Sequence, residues 1–550
     1  MAITKVFLLS VPLEKDYAHT LYFENKTAQN TYFQGRVRLK YEDFTYQRKD
    51  GVIRIPDQID TLWKQGVNYV MYQNPDYNDK WFYAFITDMQ YINDGRTDIT
   101  IQTDCLQTWM FEKVMKPCFI EREHTENDTP GENTVPEGLE TGEFVANRHT
   151  RSQYANSLSI VFAVTAASGD GNPLDGRFVN GHWSGVCYAV FDGTPSNQNA
   201  TNINNFVKRY AESKETTTDA IISMFICPTR MLTLTPGGPE GEGWEDYVKT
   251  TMEVDKKFIN GESAEITVGF STLSLDGYTP RNKKLMAFPY RYLLASNNNG
   301  GSVVYHYEQF YKKDDYGKKT IVTNPEFVIE GVVCPGCSIR MIPMDYKGIQ
   351  RNDDEGINMG KFPILNWASD EYTNWLTQNG VNIALEVAAG VGQIVAGAAA
   401  AAATGGAAAA IGAGLASGGV STIANTLAQV HTQSFTPPQA RGNINAGDVI
   451  TAAGQNDFHF YDMTVKKEYA QILDEYFDMY GYKTHRVKIP AQNHRVNYWF
   501  TKTIDANITG EIPQNDLQTI KDCYNRGVTY WRKPENFKNY TADNGIVYHV

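Results

Sequence analysis

The sequence has no Asp, Glu, Lys or Arg between Glu386 and Arg441, and Ala and Gly make up most of this uncharged segment. The segment also has little of the Ser, Pro and charge that keep a flexible linker solvated. This composition argues against an ordinary linker. It favours apolar helices that are buried in protein or in lipid.

A turn signal divides the uncharged segment into two arms of similar length. Thr404, Gly405 and Gly406 separate Asn382–Ala403 from Ala407–Val430. Because an α-helix rises about 1.5 Å per residue, each arm could cross the apolar core of a bilayer, which is about 30 Å thick. The segment therefore predicts a helical hairpin that reaches a membrane or packs as an apolar plug.

Small residues dominate this hairpin, and strongly apolar side chains are few. The strongly apolar positions are Val387, Val391, Ile394, Val395, Ile411, Leu415, Val420, Ile423 and Leu427. Gly414 and Gly418 form a GxxxG pair, and small residues at this spacing let two helices approach closely. Helix association is therefore better supported than insertion of a lone helix. A buried Ala-rich helix pair or a Gly/Ala linker is the alternative interpretation.

The sequence lacks the signals of an ordinary membrane protein. Its first residues contain only a short apolar run, Val6–Val11, which does not fit a signal peptide. No Lys/Arg cluster flanks the hairpin, and Asp370 and Glu371 lie upstream, so the positive-inside signal is missing. We therefore expect a protein that is made soluble and hides its hairpin until it is needed, as pore formers do.

Basic residues are in deficit, with 50 Lys and Arg against 63 Asp and Glu and a net charge of −13. A protein that grips nucleic acid by its phosphates needs clustered Lys and Arg. The charge balance therefore disfavours specific nucleic-acid binding. It is compatible with a surface past which DNA slides without sticking.

Cysteines are few and scattered, seven in 550 residues. This odd number predicts reduced thiols and assembly in a cytosol. Cys334 and Cys337 have CxxC spacing, but no second pair follows at a metal-ligand distance. We interpret them as a tight turn around Pro335 and Gly336.

Catalytic motifs are also lacking. Gly356–Lys361 has neither the spacing nor the Ser or Thr of a phosphate-binding loop, and Ser184 is misplaced for a nucleophile elbow. The histidines form no HExxH pair, and His124 and His149 are interpreted as structural or surface residues. We therefore expect no enzyme, no cofactor and no bound metal. Carboxylate pairs of a wall-degrading enzyme are an open alternative, because only geometry reveals them.

Short runs of β-branched and aromatic residues, broken by Gly, Asn, Asp and Pro, fill most of the chain, which has 33 Tyr and 26 Phe. They predict a mainly β protein with some α structure (α+β), and the length predicts several domains. The predicted domains are an N-terminal β-domain (1–125), a linker (126–145), a β-rich outer region (146–345), a connector (346–380), the apolar hairpin (381–433) and a C-terminal β-domain (434–550).

Two helix–glycine–strand units are predicted, one near each end of the chain. A helix at Asp57–Gln65 leads into a strand at Val67–Gln73. A second helix at Lys466–Tyr480 is capped by Gly481 and followed by a strand at Tyr482–Ile489. Within residues 1–125, Asp57–Gln65 is the one helix that the sequence predicts, apart from an open choice at Asp104–Phe111.

Several motifs near the chain ends resemble those of the tail knob proteins of small short-tailed bacteriophages. The motifs are Val11–Tyr17, Tyr69–Thr87 with the aromatic strand Lys80–Thr87, Asp104–Phe111 (a strand end or a short helix), Phe119–His124 and Tyr480–Val487. The resemblance is sharpest over residues 1–125 and 460–532. The uncharged segment falls where this family has a long hydrophobic loop.

This resemblance implies a homo-hexameric ring in the virion tail tip, assembled in the host cytoplasm next to proximal tail or collar proteins. Tube domains would come from both chain ends, and apolar loops would block the lumen until they enter the host cytoplasmic membrane and form a channel for DNA. Two alternatives stay open at this point. One is a structural or adsorption protein whose hairpin is a static gasket, and the other is the wall-degrading enzyme.

Overall fold

The computed structural model describes residues 3–77, 80–152, 154, 158–165, 178–179, 182–183, 186–192, 221–232, 234–235, 250–252, 264–268, 274–297, 300–322, 324–331, 338–359, 364–366 and 457–547. These residues form a mainly β protein with few helices and several sheets. The chain divides into two compact units. Unit 1 contains Met1–Glu143, Gly277–Ala287 and Lys466–Val550, and unit 2 contains Phe144–Asp276 and Phe288–Val465.

The strands up to the middle of the chain are β1 (Thr4–Leu9), β2 (His19–Leu21), β3 (Val37–Phe44), β4 (Val52–Ile55), β5 (Tyr69–Gln73), β6 (Trp81–Asn93), β7 (Arg96–Thr103), β8 (Lys113–Met115), β9 (Cys118–Glu123), β10 (Phe144–Arg151), β11 (Leu158–Thr165), β12 (Phe178–Val179), β13 (His182–Trp183), β14 (Val186–Asp192), β15 (Ile221–Pro228), β16 (Leu234–Thr235), β17 (Thr250–Met252) and β18 (Ala264–Thr267). The later strands are β19 (Arg291–Ser296), β20 (Ser302–Tyr305), β21 (Tyr311–Lys313), β22 (Lys319–Ile321), β23 (Glu326–Gly331), β24 (Ile339–Pro343), β25 (Ile357–Met359), β26 (Ile364–Asn366), β27 (His459–Val465), β28 (Tyr482–Lys488), β29 (Tyr498–Ile504), β30 (Ile508–Gly510) and β31 (Val528–Trp531). The α-helices are α1 (Lys26–Gln34), α2 (Ile59–Lys64), α3 (Cys105–Thr108), α4 (Lys467–Tyr480) and α5 (Gln514–Arg526).

A six-stranded sheet forms the N-terminal part of unit 1, in the order β3-β1-β5-β6-β7-β4. Its central strands are buried, as the run Tyr69–Tyr72 illustrates, because α1 and the second sheet of the unit cover the faces that water would otherwise reach. Phe33 of α1 stacks on Tyr69 with ring centroids 5.6 Å apart. Aromatic contacts of this kind join helix and sheet into one core.

The second sheet of unit 1 is built from both chain ends, in the order β2-β31-β29-β9-β28. β2 pairs with β31 in parallel, and β9 pairs with β28 and β29 in antiparallel orientation. Trp531, at the end of β31, is fully buried against Tyr498 at a centroid distance of 4.6 Å. The two ends of the sequence therefore fold as one body.

The two predicted helix–strand units are confirmed with small shifts of their ends. The first is α2 followed by β5, and the second is α4 followed by β28. Gly481 joins α4 to β28 with φ of 62°, a conformation that L side chains rarely adopt. This value supports its predicted role as the cap.

The expectation of one helix within residues 1–125, apart from the open choice at Asp104–Phe111, is wrong because α1 lies there as well. The Asn25 side chain caps α1 by accepting a hydrogen bond from the Ala28 backbone N–H at 2.8 Å. Asp104–Phe111, for which the sequence allows a strand end or a short helix, contains the short helix α3. The Asp104 carboxylate caps this helix by accepting the Gln107 N–H at 3.1 Å. The aromatic strand predicted to end at Thr87 continues to Asn93.

Three sheets contain most of the strands described in unit 2. The largest has the order β16-β17-β14-β11-β15-β26, and the other two are β10-β27-β19-β20 and β18-β23-β24-β25. Neighbouring strands pair in antiparallel orientation throughout these sheets. Of the strands described, β26 precedes the uncharged segment and β27 follows it, and they lie in different sheets of the same unit.

Residues 126–143, where the sequence predicts a linker, belong to unit 1. Glu137 is buried there and pairs with Arg122 and with Lys284. These ion pairs tie the segment to β9 and to the stretch Gly277–Ala287, both of which are parts of unit 1. The predicted domain boundaries stay predictions.

Candidate functional site: the base of the uncharged segment

The residues predicted to act on membranes lie outside the described ranges. They are Val387, Val391, Ile394, Val395, Ile411, Leu415, Val420, Ile423 and Leu427, the turn Thr404, Gly405 and Gly406, and the packing pair Gly414 and Gly418. The same holds for Cys334 and Cys337. What the structure describes is the base of the segment, where the chain leaves at Asn366 and returns at Asp457.

Among the strands described, the departing strand, β26, lies at the edge of its sheet. It pairs with β15, with Asn366 opposite Ser223 and Ile364 opposite Phe225. The returning strand, β27, is an inner strand that pairs with β10 on one side and with β19 on the other. Among the strands described, two ladders of backbone hydrogen bonds therefore hold β27, and one ladder holds β26.

Asp457 fixes the point of return. Its carboxylate accepts backbone N–H bonds from Tyr154 at 3.2 Å and from Phe458 at 3.0 Å, and the Arg151 guanidinium lies 3.6 Å away. The Asp457 and Arg151 side chains are both buried, so each charge is compensated by its neighbour. The direction in which the chain enters β27 is thereby set before the first residue of the strand.

Asp462 anchors the middle of β27. Arg291 donates to it through two nitrogens, at 2.9 and 3.1 Å, and the Tyr307 hydroxyl donates at 2.9 Å. Burial, reinforced by the Asp462 charge, raises the pKa of Tyr307 far above its usual range. The hydroxyl therefore keeps its proton and remains a donor. A carboxylate with these donors holds β27 against β19 more firmly than the backbone ladder alone.

A stack of three rings lies on β10 and β27. His149 and His459 are parallel within 3°, and their Nε2 and Nδ1 atoms are 2.9 Å apart. His149 also stacks on Tyr461 at a centroid distance of 4.6 Å. Burial, with a smaller contribution from Arg151, lowers the pKa of His149. A hydrogen bond between two imidazoles needs at least one neutral ring, so the arrangement suits neutral pH.

Unit 1 has its own buried polar contacts between distant parts of the sequence. The Trp109 indole N–H donates to Asp516 at 2.8 Å, and Lys49 pairs with the same carboxylate. Burial raises the pKa of Asp104 to about 6 and lowers that of Lys113 to about 7. The contacts of Trp109 and Lys49 with Asp516 join the two sequence ends.

His124 is structural, as the sequence predicts. Its Nδ1 accepts the Phe500 backbone N–H at 2.8 Å, and its Nε2 lies 3.0 Å from the Asp478 carbonyl. Burial, followed by the nearby Arg495 charge, holds the pKa of this imidazole well below its usual range. The ring is therefore a neutral hydrogen-bonding bridge inside unit 1.

Neither a membrane-spanning helix nor a metal-binding cluster occurs in the part of the chain that the structure describes. Among these residues, no helix has both the length and the apolar character of a membrane span. Nor does any group of three or more His, Cys, Asp or Glu within the same ranges meet the requirements of a metal site. The buried polar groups given above join β27 to its neighbouring strands and the two chain ends to each other.

Sequence reasoning missed the anchors of β27. Asp457, His459 and Asp462 follow one another closely in an otherwise aromatic stretch, which is the one signal that could have singled them out. Their partners Arg151, His149 and Arg291 are separated from them by 170 residues or more. No local pattern identifies those partners.

Comparison with known proteins gives this geometry its context. A family model for the C-terminal domain of tail knob protein gp9 of Bacillus phage phi29 matches residues 250–545, more than half of the chain. The chain belongs to the tail knob protein family. A second model, the N-terminus of caudoviral major tail proteins, matches residues 2–115.

Individual relatives agree with this assignment over the full length of the tail knob protein. Tail knob protein gp9 of Bacillus phage PZA is 26% identical, and gp9 of Bacillus phage phi29 is 25% identical; each match covers 98% of both chains. The solved tail knob protein gp12 of bacteriophage C1 has a TM-score of 0.63 at 14% identity and covers 99% of this chain, so the fold is shared. The protein is a structural component of the virion tail.

Proposed function

We propose that this tail knob protein forms a homo-hexameric ring that builds the distal tail tube, and that its apolar hairpin, residues 381–433, plugs the lumen until infection. On contact with the host, the hairpins enter the cytoplasmic membrane and line a channel for the genome. The observation that carries this proposal is the uncharged, small-residue segment itself, found in a tail protein.

The β-rich parts from the two chain ends are proposed as the tube, joined to proximal tail or collar proteins. The match of residues 2–115 to the N-terminus of major tail proteins supports this role. So does the sheet in which β2 and β31 pair, because a tube wall built from both ends leaves the middle of the chain for the outer knob and the plug. The acidic net charge of −13 suits a conduit that does not bind its DNA.

The anchors of β27 support the role of the hairpin as a part that moves while its base stays in place. A segment that changes from helix burial to lipid burial must be held at one point, or its motion would unravel the sheet behind it. Asp457 and Asp462 supply that hold where the described chain resumes after the segment. In this proposal the base of the segment stays fixed. Only the two small-residue arms change from helix burial to lipid burial.

The test is dye release from anionic liposomes by the purified oligomer, at neutral and mildly acidic pH. Intact protein is expected to release dye, and a variant lacking residues 384–433 is not. Replacing Ile394 and Leu415 by Asp is expected to abolish release, because a charge at the centre of a spanning helix costs about 3 kcal/mol. Tyr316→Asp adds one such charge at a fully exposed side chain and is the control for each single replacement, Ile394→Asp and Leu415→Asp. Unchanged release by the double Asp variant would contradict the proposal.

The GxxxG pair Gly414 and Gly418 favours a second candidate, a hairpin that stays in the tube as a gasket. Virions carrying Cys at Gly405 or Gly406, crosslinked to the tube wall, separate the two candidates. Genome ejection that survives the crosslink favours the gasket, and blocked ejection favours penetration. Zymography of the purified protein on host cell wall tests the enzyme alternative.

A further inference from the structure

A cavity of about 720 Å³ lies in unit 1, between the start of α1, the start of β6 and the residues that follow α3. Six of the fourteen described residues that line it are aromatic, and most of the others are polar or charged. Protein cavities that bind small molecules have volumes of about 300–1,000 Å³ and are lined by rings with a few polar groups among them. The cavity therefore has the size and the lining of a ligand site.

Three of the aromatic rings follow one another edge to face. The ring centroids of Tyr77 and Phe82 are 5.7 Å apart, and those of Phe82 and Trp109 are 6.2 Å apart. Asp516 accepts the Trp109 indole N–H at 2.8 Å, which fixes the orientation of the indole. Phe82 and Trp109 are buried, whereas Tyr77 is 51% exposed. The Tyr77 ring is therefore a platform that a ligand can reach and that buried rings hold in place.

The charged side chains described in the lining compensate one another. Glu112 pairs with Lys26 at 2.9 Å and with Lys80 at 3.4 Å, and Glu511 supplies the second negative charge. Lys80 also lies over the Trp109 ring, with its Nζ atom 3.5 Å from the ring centroid. Two lysines and two glutamates leave no formal net charge on these residues.

This arrangement disfavours charged ligands. A cationic ligand is normally attracted to the face of a Trp ring, but the Lys80 ammonium already lies over Trp109 and would repel a second cation. An anionic ligand would meet lysines whose charge Glu112 already compensates, and it would be repelled by Glu511. A neutral ligand meets neither repulsion.

Exposed polar side chains complete the lining. Lys26, Thr27 and Glu511 are exposed and together offer hydrogen-bond donors and acceptors. A sugar combines hydroxyl groups, which both donate and accept, with C–H faces that pack on aromatic rings. We propose that this cavity binds a short neutral saccharide, with Tyr77 as the stacking platform and these three side chains as hydrogen-bonding partners. The proposal does not depend on the ring, the plug or the channel.

The first test is saturation-transfer NMR on the full-length protein, with cellotetraose, maltotetraose and chitotetraose as neutral probes. At least one of them is expected to bind with a Kd on the order of 1 mM or below. Choline and an oligogalacturonate, as cationic and anionic probes, are expected to give no signal. Failure of all three neutral sugars to bind would overturn the saccharide assignment. Tighter binding of either charged probe would overturn the choice of a neutral ligand.

The second test removes the platform. Tyr77→Ala is expected to weaken binding of the same tetrasaccharide at least about tenfold, because the sugar loses its stacking partner. Tyr91→Ala is the matched control, since Tyr91 is 58% exposed in the same unit and does not line the cavity. Circular dichroism and the melting temperature show that each variant is folded. An unchanged Kd for folded Tyr77→Ala would refute the role of this ring.

The third test changes the charge of the lining. Glu511→Lys leaves an excess of positive charge, so this variant is expected to bind the oligogalacturonate and to lose affinity for the neutral sugar. Glu535→Lys makes the same change at an exposed position of unit 1 outside the lining, and it should keep the wild-type preference. The same preference in both variants would show that charge balance does not select the ligand.

A second copy of this chain is the competing occupant, and light scattering separates it from a saccharide. The mass of the assembled protein is expected to stay the same with saturating tetrasaccharide and in Tyr77→Ala. A lower mass for Tyr77→Ala, with no sugar bound by the wild type, would make the cavity a subunit contact and refute the saccharide site. That outcome would leave the proposed ring standing. Sugar binding by a protein that stays monomeric would instead refute the ring alone.

Discussion

Individual buried carboxylates hold the strands of this tail knob protein together at the residue scale. Asp462 receives three donors from Arg291 and Tyr307, whereas the pair Lys347 and Glu355 lies on the surface of the same unit. Removing one partner of a buried pair leaves an uncompensated charge, which is much more costly than losing a surface pair. The two sites therefore offer a matched comparison within unit 2.

Arg291→Ala is expected to lower the free energy of unfolding of unit 2 by about 3–5 kcal/mol, because Asp462 would be left buried without its cation. Lys347→Ala is expected to cost less than about 1 kcal/mol, since water screens the exposed pair. Urea unfolding of both variants checks the difference. Equal midpoints would show that losing the buried pair costs no more than losing the surface pair.

His494 makes the stability of unit 1 depend on pH. Burial, followed by the Arg495 charge, lowers the pKa of this imidazole from 6.5 to about 4, so the folded state holds it neutral. An unfolded chain takes up the proton first, and the stabilisation present above pH 6.5 is lost as the pH falls towards 4. The loss amounts to at most about 3 kcal/mol.

His494→Gln should flatten this pH dependence, because Gln keeps an N–H donor for the His124 carbonyl and does not titrate. His485→Gln, at an exposed ring, is the control for the change of residue type. Burial also raises the pKa of Asp478 to about 6, which stabilises the fold on acidification. The informative quantity is therefore the wild-type curve minus the variant curve from pH 7 to pH 4. A flat difference would contradict the assignment to His494.

Elements were predictable from the sequence where local signals agree. α4 has apolar residues at helical spacing and Gly481 behind it, and the sequence predicts both. α1 was missed because it is short and polar, with only Gln29 and Phe33 buried. Its position depends on contacts with distant residues, such as the hydrogen bonds of Gln29 to the Gln107 carbonyl and side-chain oxygens, which no window of sequence contains.

The junction between α4 and β28 requires glycine. A Cβ atom on Gly481 would lie 2.3 Å from the backbone carbon and oxygen of Glu123, and φ is positive there. Gly481→Ala is therefore expected to destabilise unit 1 by at least about 2 kcal/mol. Gly277→Ala is the control, because its φ is also positive but a Cβ meets nothing within 4 Å. Thermal melts of both variants give the comparison, and similar shifts would mean that φ alone sets the cost.

At the scale of the whole molecule, the two units are built from interleaved parts of the sequence. This interleaving was the feature that the sequence predicted least. Residues 277–287 fold with the chain ends although both of their flanks belong to unit 2. Sequence alone indicated related β-domains at the two ends, but the pairing of β2 with β31 joins residues more than 500 positions apart. Contacts at such separation leave no periodic signal in the chain.

Two compact units predict two separable unfolding transitions. Trp531→Ala removes a fully buried ring from unit 1 and should lower one transition by about 3–5 kcal/mol. Arg291→Ala should lower the other. Calorimetry of the two variants against wild type checks this assignment, and a common shift of a single peak would show that the units unfold together.

The uncharged segment lies between β26 and β27, whose pairing does not depend on it. This position has an evolutionary consequence. Residues 367–456 connect β26 to β27, and the pairing of each strand is set by partners outside that interval. Closing a loop becomes costlier only slowly with its length, by about 0.6 kcal/mol for each doubling. Insertions and deletions there would leave the rest of the fold almost unchanged in stability. The length of this segment can therefore change over evolution without disturbing the pairing of β26 and β27.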